Sequence, residues 1–238
     1  MQKIEFGKLE EFSYAKREAF NSLRTNLSFC GPDLKVIVFT SCTPDEGKSS
    51  TVIGLARSLA EDHKKVLVID CDLRKSVLVG RHHAKQIKKA GENLLGMSHY
   101  LTGQAKMQDV IFQTNVENFH IAFAGRTTPS PTELLDNDYF KAMIEYGREN
   151  YDVVLVDSPP LGSVIDTAVI APLCDGAILL AESNKNSYKF LQNVKKQLEL
   201  TGVRILGVIL NKVQAGTGGY YNRYYQGYYK EYYGEKES

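Results

Sequence analysis

Residues 36–59 join three local patterns that together constrain the fold of the whole chain. Val36 to Thr40 can form a buried strand, a loop rich in Ser, Thr, Pro and Gly follows, and Ser49 opens an apolar pattern of helical period. A strand, a tight loop that ends in Gly-Lys-Ser and a helix are the parts of a phosphate-binding P-loop. This stretch therefore predicts a binding site for a polyphosphate.

The chemistry of phosphate binding explains why these residue types occur at this spacing. Backbone N–H groups of the loop and of the free helix N-terminus carry partial positive charge and point to one place. Gly47 lets the backbone approach a phosphate, Lys48 supplies a positive charge, and the Ser49 hydroxyl can ligate Mg²⁺. The predicted nucleotide-binding residues of the loop are Thr43, Pro44, Asp45, Glu46, Gly47, Lys48, Ser49 and Ser50.

The loop departs from the usual GxxxxGK[ST] pattern at one position. Cys42 replaces the first glycine, and Pro44 lies inside the loop. A chance Gly-Lys-Ser on a surface turn is the alternative interpretation. The strand before it and the helix after it favour the P-loop.

Three carboxylates follow buried apolar segments, so each is predicted at the C-terminal end of a strand. Residues 65–74, KVLVIDCDLR, present Asp70 and Asp72, and the strand Val153 to Val156 presents Asp157. Ligands bind at this edge of an open α/β sheet. Asp70 and Asp72 can share a metal or a proton-transfer task, although capping the next helix is the ordinary use of an Asp there. Asp157 is placed like the acid of a Walker B strand, which serves Mg²⁺.

Two further polar residues follow predicted strands. Asp166 lies in a turn beyond Asp157, where it can face the terminal phosphate or cap a helix. Asn211 ends the last strand, and its amide can read an adenine edge.

Length and composition limit the class of protein. A chain of 238 residues is long enough for one large α/β domain. The net charge of +1 gives no argument for bulk nucleic-acid or membrane binding. Four cysteines without metal-ligand spacing, in a chain with no signal peptide, indicate reduced thiols in a cytoplasm. No apolar run is long enough to cross a bilayer, so work at a membrane would require a partner that holds the protein there.

The order of the predicted elements indicates the architecture. Strands alternate with helices along the chain, which predicts a doubly wound, mostly parallel sheet. Residues 13–29 form the first predicted helix, and the first dozen residues are expected to be loosely held. The basic stretch at 81–89 includes His82 and His83 but no completed ligand set, so we expect a solvated loop or docking surface there.

Residues 216–238 form a low-complexity tail that is rich in tyrosine and has no aliphatic residue to build a core. We predict a flexible tail. Its tyrosines can stack on single-stranded nucleic acid, cause self-association or accept phosphate, and the acidic residues beside its few basic ones weigh against nucleic acid. The predicted phosphate acceptors are Tyr220, Tyr221, Tyr224, Tyr225, Tyr228, Tyr229, Tyr232 and Tyr233.

Four ordered segments resemble the bacterial tyrosine kinases of capsule and exopolysaccharide gene clusters, in the form where the kinase is a separate cytosolic chain. They are SCTPDEGKSS, VLVIDCDLR, VVLVDSPP and the tyrosine cluster. The resemblance implies a P-loop domain over residues 1–215 with the deviant fold of the cell-division ATPase MinD. It also implies ATP- and Mg²⁺-dependent phosphorylation of the tail in trans, in the regulation of polysaccharide synthesis and export.

The resemblance also implies roles for individual residues. The catalytic set is Lys48, Asp70, Asp72 and Asp157, in which Lys48 holds phosphates and Asp70 and Asp72 orient metal-bound water and accept the tyrosyl proton. The metal partners are Ser49, Asp72 and Asp157.

Partners follow from the same resemblance. A transmembrane polysaccharide co-polymerase with a cytoplasmic activating tail would recruit the chain to the inner face of the membrane, and a cognate tyrosine phosphatase would reverse the reaction. The family joins subunits into a ring through an ExxRxxR motif on the first helix. Here Glu18 and Arg24 match that motif, but Asn21 replaces its first arginine and cannot form the same bidentate ion pair.

The cell-division and plasmid-partition ATPases, which act as nucleotide-switched dimers without kinase activity, are the main alternative. They carry a second lysine early in the loop, where this chain has Thr43, and they lack a comparable tail. A non-enzymatic scaffold that binds ATP is a third possibility.

Overall fold

The computed structural model describes residues 2–7, 11–75, 78–81, 84–86 and 94–213. The predicted tyrosine tail, both histidines at 82–83 and the basic residues at 88–89 lie outside these residues. In the described ranges, no helix has both the length and the apolar composition that crossing a bilayer requires.

Nine strands form one sheet in the part of the chain that the structure describes. They are β1 Gln2–Phe6, β2 Val36–Ser41, β3 Val66–Asp70, β4 Ala84–Gln86, β5 Ile111–Gln113, β6 Phe119–Ala122, β7 Val153–Asp157, β8 Gly176–Glu182 and β9 Ile205–Asn211. Their order across the sheet is β4-β1-β5-β6-β3-β7-β2-β8-β9. The pairs β1–β4 and β5–β6 are antiparallel and the others are parallel. The prediction of a mostly parallel α/β sheet is confirmed.

Helices connect the strands and lie on both faces of the sheet. They are α1 Tyr14–Ser28, α2 Lys48–Glu61, α3 Leu78–Arg81, α4 Met97–Leu101, α5 Met107–Val110, α6 Pro131–Leu135, α7 Asp138–Asn150, α8 Asp166–Ile170 and α9 Tyr188–Glu199. Ser13 caps α1 by accepting a hydrogen bond from the backbone N–H of Lys16, as its position before the apolar pattern predicts.

The core has one apolar layer on each side of the sheet. Phe20 of α1 and Val52 of α2 belong to one layer, whereas Phe140 of α7 and Leu198 of α9 belong to the other. The central strands β2 and β3 are buried along their whole length, which is why their sequences are continuous apolar runs rather than alternating ones. This doubly wound arrangement fixes β2, β3 and β7 side by side.

The expectation that the first dozen residues are loosely held is wrong for β1. This strand pairs with β4 and β5, and its Ile4 and Phe6 side chains are buried in the core. Two apolar residues at alternate positions are a weak signal in a sequence, and the strand gains its burial from distant partners.

Candidate active site

The loop between β2 and α2 reverses direction through two residues with positive φ angles. Asp45 has φ of 64° and Gly47 has φ of 88°. A side chain at 47 is excluded by space as well as by backbone conformation, because a Cβ there would lie 2.1 Å from Nδ2 of Asn211. The glycine of the motif therefore allows the last strand to contact the first loop.

Glu46 binds the loop from inside. Its side chain is 1% exposed, and Oε2 accepts hydrogen bonds from the backbone N–H groups of Cys42 (2.7 Å) and Thr43 (3.0 Å). Its other oxygen, Oε1, accepts a hydrogen bond from Nδ2 of Asn186, in the segment between β8 and α9. Both oxygens of the buried carboxylate thus accept hydrogen bonds that fix the loop.

Three side chains bind the backbone carbonyl groups of the same loop. The carbonyl groups of residues 44–46 accept hydrogen bonds in turn from Nζ of Lys185 (3.0 Å), Nζ of Lys212 (2.6 Å) and Nδ2 of Asn211 (2.8 Å). In a trans peptide the carbonyl and the following N–H point in opposite directions. These hydrogen bonds therefore also fix the directions of the N–H groups of residues 45–47, the groups that bind phosphate in a P-loop.

The predicted lysine and acids meet at the C-terminal ends of β3 and β7. Nζ of Lys48 lies 2.9 Å from Oδ1 of Asp157, and both side chains are buried. Asp70 and Asp157 are direct neighbours in the parallel register of these strands. Asp70 is 1% exposed and accepts a hydrogen bond from the backbone N–H of Asp72.

A pocket of about 430 Å³ lies in front of this cluster. Of the predicted site residues, those that line it are Pro44, Asp45, Glu46, Gly47, Lys48, Ser49, Ser50 and Asp72. Thr43, Asp70, Asp157 and Asn211 are not among its lining residues. Asn211 instead donates its amide hydrogen bond to the loop carbonyl of Glu46.

The oxygen atoms of this site suit a magnesium ion whose remaining ligands are phosphate and water. Among the described residues, no group of three or more His, Cys, Asp and Glu side chains is placed to hold a metal alone. Oδ2 of Asp157 is buried and has no hydrogen-bond partner in the described part of the chain. Mg²⁺ keeps several waters and needs only one or two carboxylates beside a phosphate, so a free oxygen of Asp157 fits such an ion.

Comparisons with known proteins decide between the families that share this fold. A family model described as an AAA domain matches residues 34–203. Tyrosine-protein kinase CpsD of Streptococcus agalactiae is 40% identical over 209 residues, which are 87% of this chain and 89% of that protein. The chain belongs to the family of bacterial tyrosine kinases. The recognised resemblance is confirmed.

Solved structures agree with this assignment. The kinase domain of the Escherichia coli tyrosine kinase ETK has a TM-score of 0.78 at 30% identity, over 89% of this chain and 84% of that one. The septum site-determining protein MinD of Pyrococcus horikoshii has a TM-score of 0.62 at 24% identity, over 77% and 72% of the two chains, and shares the fold alone. The comparisons therefore support a tyrosine kinase over the nucleotide-switched ATPase.

The first helix of this bacterial tyrosine kinase uses its predicted ring residues within its own chain. Oε1 of Glu18 accepts a hydrogen bond from Nδ2 of Asn21 (3.1 Å). Nη1 of Arg24 donates to the carbonyl of Ser58 (2.9 Å), and its Nε lies 3.7 Å from Oδ2 of Asp62. Both predicted oligomerisation residues thus have intramolecular partners, and their role between subunits stays a prediction.

Arg74, which lines the kinase pocket, is a residue for which the sequence indicated no role. Its guanidinium binds the fully buried carboxylate of Asp166, for which the sequence left open a phosphate-facing or a helix-capping role. The basic pair of Arg74 and Lys75, which follows Asp70 and Asp72 closely in the chain, is the signal that could have drawn attention to it.

The thiols of Cys42 and Cys71, near the kinase site, are unreactive because they are buried. Burial, with a smaller contribution from the carboxylate of Glu46, raises the pKa of Cys42 to about 11. Burial likewise raises the pKa of Cys71 well above its ordinary value. Both side chains stay protonated near neutral pH and are poor nucleophiles there.

Proposed function

We propose that this chain is an ATP- and Mg²⁺-dependent protein-tyrosine kinase that phosphorylates the C-terminal tyrosines of a neighbouring subunit. The observation that carries the proposal is one pocket whose lining includes residues 44–50 of the P-loop, with Lys48, and Asp72. Phosphoryl transfer needs in-line positioning and charge stabilisation more than covalent help from the protein, and these groups supply both.

Each group has a role that its position allows. The loop amides and Lys48 would bind the phosphates, and Ser49, Asp72 and Asp157 would hold the ion. Mg²⁺, when bound, neutralises charge on the phosphate oxygens. Lys48 is fixed by its 2.9 Å contact with Asp157, so its ammonium group is held at the C-terminal end of β7.

The acceptor tyrosine must lose its phenolic proton during transfer, because its ordinary pKa is about 10. Asp72 lines the pocket and is the carboxylate placed to accept that proton. Asp70 is buried behind it and holds the backbone of Asp72 through a 3.2 Å hydrogen bond. We assign proton transfer to Asp72 and its positioning to Asp70.

The biological setting that we propose is the control of capsular or extracellular polysaccharide synthesis and export. A transmembrane co-polymerase with a cytoplasmic activating tail would recruit the kinase to the inner face of the membrane, and a cognate tyrosine phosphatase would oppose it. The likeness to CpsD supports this setting.

Incubation of the purified chain with ATP and Mg²⁺, with and without the cytoplasmic segment of the activator, tests the activity. Phosphotyrosine is expected in the wild type. In Lys48→Met it should fall by a factor on the order of 100 or more, because the phosphate charge loses its stabilisation. Lys48→Arg keeps the charge beside Asp157 and controls for folding, as does the thermal melting curve of each variant. Undiminished phosphotyrosine in a folded Lys48→Met would refute the site, and ATP hydrolysis without phosphotyrosine in the wild type would favour the nucleotide-switched ATPase.

Replacement of all eight tail tyrosines by Phe tests the acceptor. Self-phosphorylation should fall to a small remainder while the affinity for ATP stays unchanged, because the substitutions remove the proposed acceptors and leave the P-loop and Lys48 in place. Mass spectrometry locates the phosphates, and the matched control replaces exposed tyrosines outside the tail, Tyr14 and Tyr188. Phosphates found mainly at those two positions would contradict the proposed acceptor.

A further inference from the structure

Arg74 lines the pocket together with Lys48 but comes from a different part of the chain, the segment that follows β3. Its side chain is 39% exposed, so the guanidinium reaches the pocket surface. The mechanism above gives it no task.

The guanidinium is held from behind by a carboxylate that has no contact with solvent. Asp166, the first residue of α8, is 0% exposed, and its two oxygens accept hydrogen bonds from Nε (2.6 Å) and Nη2 (2.9 Å) of Arg74. Oγ1 of Thr132, in α6, donates a third hydrogen bond to Asp166 at 2.5 Å. A paired, planar contact of this kind fixes the plane and direction of the guanidinium.

The charge state of the pair follows from these contacts. Burial by itself would raise the pKa of Asp166, but the hydrogen bonds from Arg74 and Thr132 outweigh it, and the pKa is lowered. The carboxylate therefore stays ionised, and the positive end of the pair lies on the pocket side. Nη1 of Arg74 has no hydrogen-bond partner among the residues that the structure describes.

We propose that Arg74 binds the terminal phosphate of ATP, and that Asp166 and Thr132 position its guanidinium for this contact. The proposal rests on the proposed function only in taking ATP as the nucleotide. ADP lacks the phosphate in question, so Arg74 contributes to ATP affinity and to transfer but little to ADP affinity. Lys48 and the loop amides, in contrast, also serve the inner phosphates.

Two variants separate this role from a structural one. Arg74→Lys keeps a positive charge beside Asp166 but loses the planar fork. The double variant Arg74→Gln/Asp166→Asn removes both charges, so it leaves no buried carboxylate without a partner and keeps the test valid if a single neutral substitution fails to fold. Arg204→Lys is the matched control, since Arg204 is exposed at the start of β9, at the opposite edge of the sheet.

Calorimetric titration with a non-hydrolysable ATP analogue and with ADP, both with Mg²⁺, gives the ratio of the two affinities for each variant. This ratio decides between the two roles. We expect Arg74→Lys and the double variant to weaken binding of the analogue by about tenfold or more, equivalent to about 1.4 kcal/mol. Their ADP affinity should stay within about threefold of the wild-type value, and Arg204→Lys should change neither affinity.

Three results would overturn the proposal. Equal weakening of both nucleotides would indicate a general effect on the pocket, and no change in either would make the pair structural only. Unchanged affinities for both nucleotides with a raised KM for a tyrosine peptide would show that Arg74 binds the acceptor peptide rather than the nucleotide. Because the titration needs no transfer, a chain that fails to phosphorylate tyrosine can still pass this test.

Discussion

At the scale of single residues, the carboxylate of Glu46 determines the shape of the phosphate-binding loop. It accepts hydrogen bonds from two amides of its own loop and from Asn186, and it is almost completely buried. Every one of these partners is a donor, so the site requires an acceptor at both oxygens.

Glu46→Gln places an NH₂ group where a carboxylate oxygen accepts hydrogen bonds. At least one buried donor then loses its partner, and we expect the free energy of unfolding to fall by about 1–3 kcal/mol. The affinities for ATP and ADP should fall together, because the amides of the loop serve both nucleotides. Chemical denaturation and calorimetric titration measure the two effects.

Glu61→Gln is the matched control, since Glu61, the last residue of α2, is exposed and makes a surface ion pair with Arg57. That substitution should cost well under about 1 kcal/mol. A Glu46→Gln protein with wild-type ADP affinity would show that the loop keeps its shape without the carboxylate.

At the scale of elements, α1 is packed onto α2 by both apolar and polar contacts. A Cβ added at Gly54 of α2 would lie 2.2 Å from the ring of Phe20, so the ring is seated where α2 has no side chain. Arg24 binds the last turns of α2 through Ser58. The helix to which the resemblance assigns contacts between subunits is therefore well anchored within this chain, and Asn21 stands at the position of the motif arginine.

Asn21→Arg restores that arginine and is expected to increase self-association. The new guanidinium can form a bidentate ion pair with an acid on another subunit, which the amide of Asn21 cannot. Sedimentation velocity should show a larger species at concentrations where the wild type is smaller. Asn26→Arg adds the same side chain at an exposed position of α1 and should leave the distribution unchanged. Equal sedimentation of Asn21→Arg and wild type would mean that the motif has no part in assembly of this chain.

At the scale of the whole molecule, Asp175 connects three elements at the edge of the sheet opposite the P-loop. Its Oδ2 accepts hydrogen bonds from the backbone N–H groups of Lys35 (2.9 Å) and Val36 (2.8 Å), at the start of β2. Its Oδ1 accepts one from Nη1 of Arg148, in the last turn of α7. One carboxylate, directly before β8, thus holds the beginning of β2 and the end of α7.

The stability that Asp175 provides depends on pH. Burial alone would raise its pKa, but the hydrogen bonds from Val36, Arg148 and Lys35 outweigh it, and the pKa in the folded chain is lowered. A group of this kind contributes its stability above the pKa of the unfolded chain, about 3.9, and loses it as the pH falls through the lower folded value.

Asp175→Asn should therefore lower the free energy of unfolding by about 1–3 kcal/mol at pH 7. Its difference from wild type should shrink below about pH 4, where the wild-type carboxylate also becomes protonated. Urea unfolding over this pH range measures both values, with Asp138→Asn, at a residue whose side chain is 96% exposed, as the control. A difference that stays constant with pH would show that the charge of Asp175 does not stabilise the fold.

The sequence predicted the central part of the molecule because its signals are local. Strands buried on both faces appear as unbroken apolar runs, as in β2, β3 and β7, and acids that end neighbouring strands must meet at one edge. β1 was missed because its burial depends on pairing with β4 and β5, which its own five residues do not encode.

The contacts that complete the site join residues far apart in the chain. Arg74 and Asp166 are separated by 92 positions, and Asn211 and the carbonyl of Glu46 by 165. No spacing rule connects such residues, so the hydrogen bond from Asn211 to the loop could not be predicted, and the predicted role of Asn211 on adenine stays a prediction. The assignments of individual acids and of the tail tyrosines stay predictions.

The hydrogen bonds to the P-loop carbonyls have a consequence for how the protein is made. The loop at residues 42–47 is synthesised well before the side chains that bind its carbonyl groups, Lys185, Asn211 and Lys212. A nascent chain that lacks them has the motif without these three hydrogen bonds. The nucleotide site of this kinase is therefore completed only after β9 and Lys212 have been synthesised.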